Sequence, residues 1–203
     1  MISLKYIVLC FEFTTLLVAL LYIKKHKAIY FKFFIAYAAV TLIVEYLGNI
    51  VLPKNNGYIY NIYTFFEFNL VAIIYYFLSR EKYSKNFITY VSIFFNVLYA
   101  LSFYSAFIKQ YLVLALAFIL SLFMVLYYKE LLNSDKIVNY KKNLSFWMTT
   151  GMFFYYLTTI PFLALVYLTE LKNDEVNFII RLITIATHSC FIIGIIWSQR
   201  KVN

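Results

Sequence analysis

Seven stretches of this chain are long, apolar and almost free of charge: roughly 2–23, 33–52, 59–78, 87–107, 111–128, 146–168 and 178–197. Each is near the ~20 residues that cross ~30 Å of hydrocarbon at ~1.5 Å per residue. In lipid a segment must satisfy its own backbone amides and carbonyls, which leaves the helix as the conformation open to it. The expectation is an all-α integral membrane bundle of seven transmembrane helices. It forms a single transmembrane domain over residues 1–203, with essentially nothing outside the bilayer.

Composition points the same way. Hydrophobic residues make up 64% of the chain and charged ones 13%, against roughly 45–50% and 25% in soluble domains. A water-soluble fold of this length has no means of hiding so much apolar surface. Aromatics reach 22%, more than two interfacial belts use, so many rings are expected between helices. The N-terminal run is too long for the h-region of a signal peptide, is interrupted by Glu12 and is followed by no A-x-A site, so it is expected to stay. Cys10 and Cys190 both fall inside apolar segments, far apart in sequence, and read as small buried residues without a disulfide or metal role.

The net charge of +9 is distributed by side. With seven spans, loops 24–32, 79–86 and 129–145 and the C-terminal tail share one side, and they hold thirteen of the 18 basic residues. The other side has Lys5, Lys54, Lys109, Lys172 and Arg181, joined by Glu170, Asp174 and Glu175. The positive-inside rule then places the N-terminus out and the C-terminus in, in a multi-pass inner-membrane protein. Basic loops of this kind lie against anionic headgroups, and no basic aromatic module points to nucleic acid. The short connections 53–58 and 108–110 predict antiparallel hairpins, and only 129–145 has room for a short interfacial helix.

Ionisable groups within spans cost ~2.5–3.5 kcal/mol or more and are functional candidates by default. Four lie deep: Glu12, Glu45, Glu67 and His188. Counted from the external end of each span, their depths are ~15, ~10, ~12 and ~15 Å, which places them in one layer. Helical spacing puts Thr41, Glu45, Gly48 and Asn49 on one face of span two. It likewise groups Tyr60, Tyr63, Thr64 and Glu67 on span three, with Asn61 in the same turn, and Arg181, Thr184 and His188 on span seven. Pro161 in span six frees the carbonyl of Leu157, and Thr158 and Thr159 stand beside it.

Three readings compete for this layer. It is a hydrogen-bonded cluster of neutral acids that fixes helix register, a ligand pocket opening outward with Arg181 near its mouth, or a proton or cation path. No matching acidic trail continues through the inner half, and Asn69 and Asn96 extend the layer only to the midplane. No Glu-x-x-His pair, H-E-x-x-H or G-x-S-x-G motif occurs, so neither a metal nor a catalytic residue is assigned. The seventh span has no lysine, which excludes a retinal Schiff base. No cofactor is expected.

The run Tyr60-Asn61-Ile62-Tyr63 with Glu45 and Glu67, and Phe146-Trp147 followed by Gly151, Tyr155 and Pro161, resemble a family of small multi-spanning membrane proteins common in flavobacteria and their relatives. The resemblance covers most of the chain and brings no assigned activity; the segment with His188 and Cys190 matches least. In size and character, though in no motif, the chain is also similar to membrane accessory proteins beside some RNA-targeting CRISPR effectors. The functional expectation is a non-enzymatic signalling or sensory component, or a defence-type accessory acting on the membrane. Its partners would be the lipid bilayer, a cytoplasmic protein at the basic loops and a small ligand from outside, with assembly into oligomers left open. The alternatives are a small proton- or cation-coupled transporter or channel and, third, an intramembrane enzyme.

Overall fold

A computed structural model describes residues 4–52, 57–168 and 173–198. They form seven α-helices: α1 (Leu4–Leu21), α2 (Ile29–Tyr46), α3 (Gly57–Leu78), α4 (Lys82–Leu101), α5 (Ala106–Leu132), α6 (Leu144–Leu168) and α7 (Asn173–Trp197). A π-helical turn, Leu47–Val51, extends α2, and a 3-10 segment, Asp135–Lys142, leads into α6. There is no strand among the described residues. Hydroxyls inside the helices bond back to their own backbone: Thr15 donates to the Phe11 carbonyl (2.9 Å), Ser121 to Ala117 (2.8 Å) and Thr184 to Ile180 (2.9 Å). This local satisfaction lets polar residues sit in an apolar helix.

Five helices (α1, α2, α3, α5 and α7) are long and apolar enough to cross a membrane. This is the architecture of a multi-pass membrane protein. α4 is less apolar, with Lys82, Lys85 and Asn86 in its first turns. Large apolar side chains such as Phe13, Ile43, Phe66, Phe94 and Phe118 stay exposed on the bundle's outside, where lipid covers what water cannot.

Six helices close a ring in the order α1, α2, α3, α5, α6, α7 and back to α1, while α4 packs outside it against α3 and α5. Ring and amide contacts hold α4 against α3. The Phe68 and Phe95 rings stack at 3.7 Å, and Asn69 and Asn96 exchange two amide hydrogen bonds of 3.0 Å. That pair satisfies itself between α3 and α4, so it does not extend the acidic layer.

The closest helix contact, α6 on α7, rests on two glycines. A Cβ on Gly194 would run into the Trp147 Cβ, and one on Gly151 would lie 2.9 Å from Phe191 and 3.0 Å from the Thr187 carbonyl. Small residues let backbones approach in this way. The ring closes at the α1–α2 turn. Lys25 Nζ donates to the Ile196 carbonyl (3.1 Å) and His26 Nε2 reaches the Ile195 carbonyl (3.2 Å), so two basic groups cap the end of α7.

Three expectations need correction. The break between the fourth and fifth helices is not at 108–110, which is helical, but at the turn Ser102–Tyr104. Ser105 caps α5 there by accepting from the Ile108 N–H at 3.4 Å, and Lys109 and Gln110 simply face outward in the first turns. Helix α5 also continues to Leu132, past the expected end at 128. Cys10 is exposed rather than buried, while Cys190 is half-buried against Gly151.

Candidate functional site

The starts of α1, α3 and α7 meet the end regions of α2 and α6 around a cavity of about 230 Å³. Its wall is polar and carries both signs of charge. Glu12 and Lys5 come from α1, Thr41 and Glu45 from α2, Tyr60 and Tyr63 from α3, and Arg181 and His188 from α7. Glu12 and His188 are only 1% and 4% exposed, so the two titratable groups predicted deepest are indeed interior.

Each polar group is positioned by its helix. Thr15, one turn after Glu12, hydrogen-bonds His188 Nδ1 at 2.9 Å. Because the Thr15 hydroxyl proton already goes to the Phe11 carbonyl, the network assigns the donated proton to Nδ1. A neutral ring then has Nε2 as its acceptor. Phe191 meets the same ring edge-on at 5.5 Å. On the opposite wall the Tyr60 hydroxyl bonds Glu45, with Arg181 in electrostatic range. Gly48, in the π-helical turn, makes room for it: a Cβ there would stand 2.7 Å from that hydroxyl. One oxygen of Glu12, Oε2, is buried without a hydrogen-bond partner.

Glu67 is interior at 8% exposure but does not line the cavity. It lies behind the Tyr63 wall, where Tyr156 donates to its Oε1 at 2.8 Å and Tyr63 also bonds it. Tyr63 shares a 3.0 Å hydrogen bond with Thr41, so a chain of hydroxyls links Glu67 to the cavity surface. Asn61 is half-buried and outside the lining, and the side chain of Asn49 falls outside the described residues. Pro161 is exposed within a continuous α6, and the Thr158 and Thr159 hydroxyls bond the Phe154 and Tyr155 carbonyls. The helix break predicted there therefore contributes nothing to the cavity, whose α6 wall is Tyr155.

Below Tyr37 the bundle is packed with aromatic rings. Phe31, Phe34 and Phe191 are fully buried there, with Phe34 edge-on to Phe191 at 5.0 Å. On the far side of these rings a second cavity of about 150 Å³ opens among Tyr30, Arg80, Tyr127, Glu130, Asn143 and Ser145. Glu130 falls within the connection expected at 129–145. The extension of α5 by one turn buries it to 9% exposure, with Oε2 accepting the Arg80 backbone N–H at 2.7 Å. Among the described residues no cluster of His, Cys, Asp and Glu has the make-up of a metal site. No protein-family model, curated protein or solved structure matches the chain.

Proposed function

We propose that this chain is a seven-span inner-membrane sensory component that binds a small zwitterion in the polar cavity. The N-terminus lies outside and the C-terminus inside, and occupancy is passed to a cytoplasmic partner through loops 79–86 and 129–145. The observation that carries the reading is the unpartnered Oε2 of Glu12, at 1% exposure on a cavity it shares with Glu45, Arg181 and Lys5. A buried acceptor left unmade costs roughly 1–3 kcal/mol, which an occupant bearing N–H donors returns. The two acids suit an ammonium, and Arg181 with Lys5 suits a carboxylate, so an amino-acid-sized zwitterion fits both ends. Aromatic hydroxyls between them fix orientation, as polar groups do in small-molecule pockets.

The buried rings of Phe31, Phe34 and Phe191 stand between the two cavities, and the polar groups buried near them, Tyr75 and Thr149, are hydroxyls rather than carboxylates or imidazoles, which favours binding over conduction. Transport through the bundle is the second reading, supported by the Thr41–Tyr63–Glu67 relay. The test is a thermal-shift screen of the purified protein in nanodiscs against amino-acid-like zwitterions, with Glu12→Gln and Arg181→Gln beside the wild type. A ligand that stabilises only the wild type is expected. Uptake of such a ligand into proteoliposomes overturns the sensory reading, and no stabilisation by any zwitterion overturns the ligand class.

A further inference from the structure

The second cavity lies where the basic loops gather, at the start of α2 and α6 and the end of α3 and α5. In a bundle oriented by those loops this is the depth of the headgroup layer. Its wall includes Glu130, whose Oε1 is buried and has no hydrogen-bond partner. The other oxygen is committed to the Arg80 backbone. Arg80 is an exposed residue of the cavity wall whose guanidinium is within electrostatic reach of Tyr127. Ser145 and Tyr127 close the floor, tied by a 2.8 Å hydrogen bond, and Ser145 in turn donates to Asn143 Oδ1 at 2.8 Å. Phe77 forms an apolar flank that continues onto the exposed surface.

A buried acceptor-only oxygen and an exposed arginine on one cavity wall ask for a ligand with N–H donors at one end and an anion at the other. We infer that this cavity binds a phosphoethanolamine group: the ammonium donates to Glu130 Oε1, the phosphate pairs with Arg80, and the acyl chains of a parent lipid run along Phe77. The chemistry discriminates among headgroups. A trimethylammonium has no N–H to give Glu130, and a phosphoglycerol has no positive charge, while Arg80 alone accepts any phosphate.

The experiment measures lipid binding to the purified full chain in detergent by native mass spectrometry. It compares phosphatidylethanolamine, phosphatidylcholine and phosphatidylglycerol of matched acyl chains, and adds soluble glycerophosphoethanolamine as a separate arm. Wild type is expected to prefer phosphatidylethanolamine by at least about tenfold, the factor one charge-assisted hydrogen bond supplies. Glu130→Gln should erase that preference, and Arg80→Gln should weaken all three lipids together. Should Glu130→Gln fail to fold, Ser145→Ala reports on the same floor with Glu130 intact, and a reduced ethanolamine preference is the supporting result. Equal binding of the three lipids by wild type overturns the inference, as does a preference that survives Glu130→Gln. Soluble glycerophosphoethanolamine binding as tightly as the lipid supports the site and overturns the membrane source. This site is independent of the zwitterion cavity, so Glu12→Gln leaves its lipid preference unchanged.

Discussion

Residues with one unsatisfied atom say more here than residues with a charge. Glu67 is fully interior, yet its oxygens are met by Tyr156 and Tyr63, whereas Glu12 and Glu130 each keep an oxygen without a partner beside a cavity. Glutamine at position 67 keeps a carbonyl for the Tyr156 hydroxyl, so Glu67→Gln should change thermal stability little. Glu67→Leu strands that hydroxyl and should cost about 1–3 kcal/mol by denaturant melts in detergent. Equal losses for both would show that the charge, not the hydrogen bond, matters. At the α1–α2 turn, burial and then the nearby Lys25 hold the His26 imidazole below its ordinary range, partly opposed by its bond to the Ile195 carbonyl. The folded state therefore binds the proton less well than the unfolded one. Docking of the turn is complete above the ordinary histidine pKa, ~6.5, and weakens as pH falls through it. Amide exchange in residues 22–28, corrected for intrinsic rate, should rise between pH 8 and 5.5, and His26→Asn should flatten that response.

The helices themselves were plain in the hydropathy, since each is a long apolar run that only a helix satisfies. What hydropathy misread was where polar residues stop a helix. Lys109 and Gln110 looked like a turn because they are polar, yet a first-turn lysine is tolerated; Ser102 and Ser105, less conspicuous, make the caps. The same confusion left Glu130 in the connection expected at 129–145. Azimuth around a helix was not legible from residue counting, which is why Glu67, expected in one layer with Glu45, does not line the same cavity. Nor did the sequence tell which helix stands outside the ring, because neighbour relations depend on facing surfaces such as Phe68 against Phe95. The glycines were a readable signal left unread. Gly194→Ala places a methyl against the Trp147 Cβ, too near the backbone to swing aside, so α6 and α7 must separate. A loss of about 1–3 kcal/mol is expected, with accelerated alkylation of Cys190 as the interface loosens. Unchanged stability and reactivity would mean that the interface tolerates a wider spacing.

At the scale of the whole molecule the two ends differ in kind. Among the described residues, the cavity holding Glu12 belongs to the end with few basic residues, and the cavity holding Glu130 to the end with Lys24, Lys25, Arg80, Lys82, Lys129 and Lys141. The proposed orientation follows from that asymmetry. A fluorescent reporter that matures only in the cytoplasm, fused after Asn203, should be bright, and one inserted at 53–56 should be dark. The reverse pattern would invert every assignment of outside and inside.

The aromatic layer between the cavities also has an electrical consequence. In the proposed orientation, with water in both cavities, a membrane voltage would fall mainly across the aromatic layer between them, which along α2 runs only from Tyr37 to Tyr30, ~10 Å by helical rise. The field there would be about three times steeper than across ~30 Å of hydrocarbon. On that reading Glu12, Glu45 and His188 would stand outside the drop, and a ligand arriving at them would do little work against the potential. A charge carried past Phe34 would exchange ~2.3 kcal/mol for every 100 mV, nearly all of it within two turns of helix.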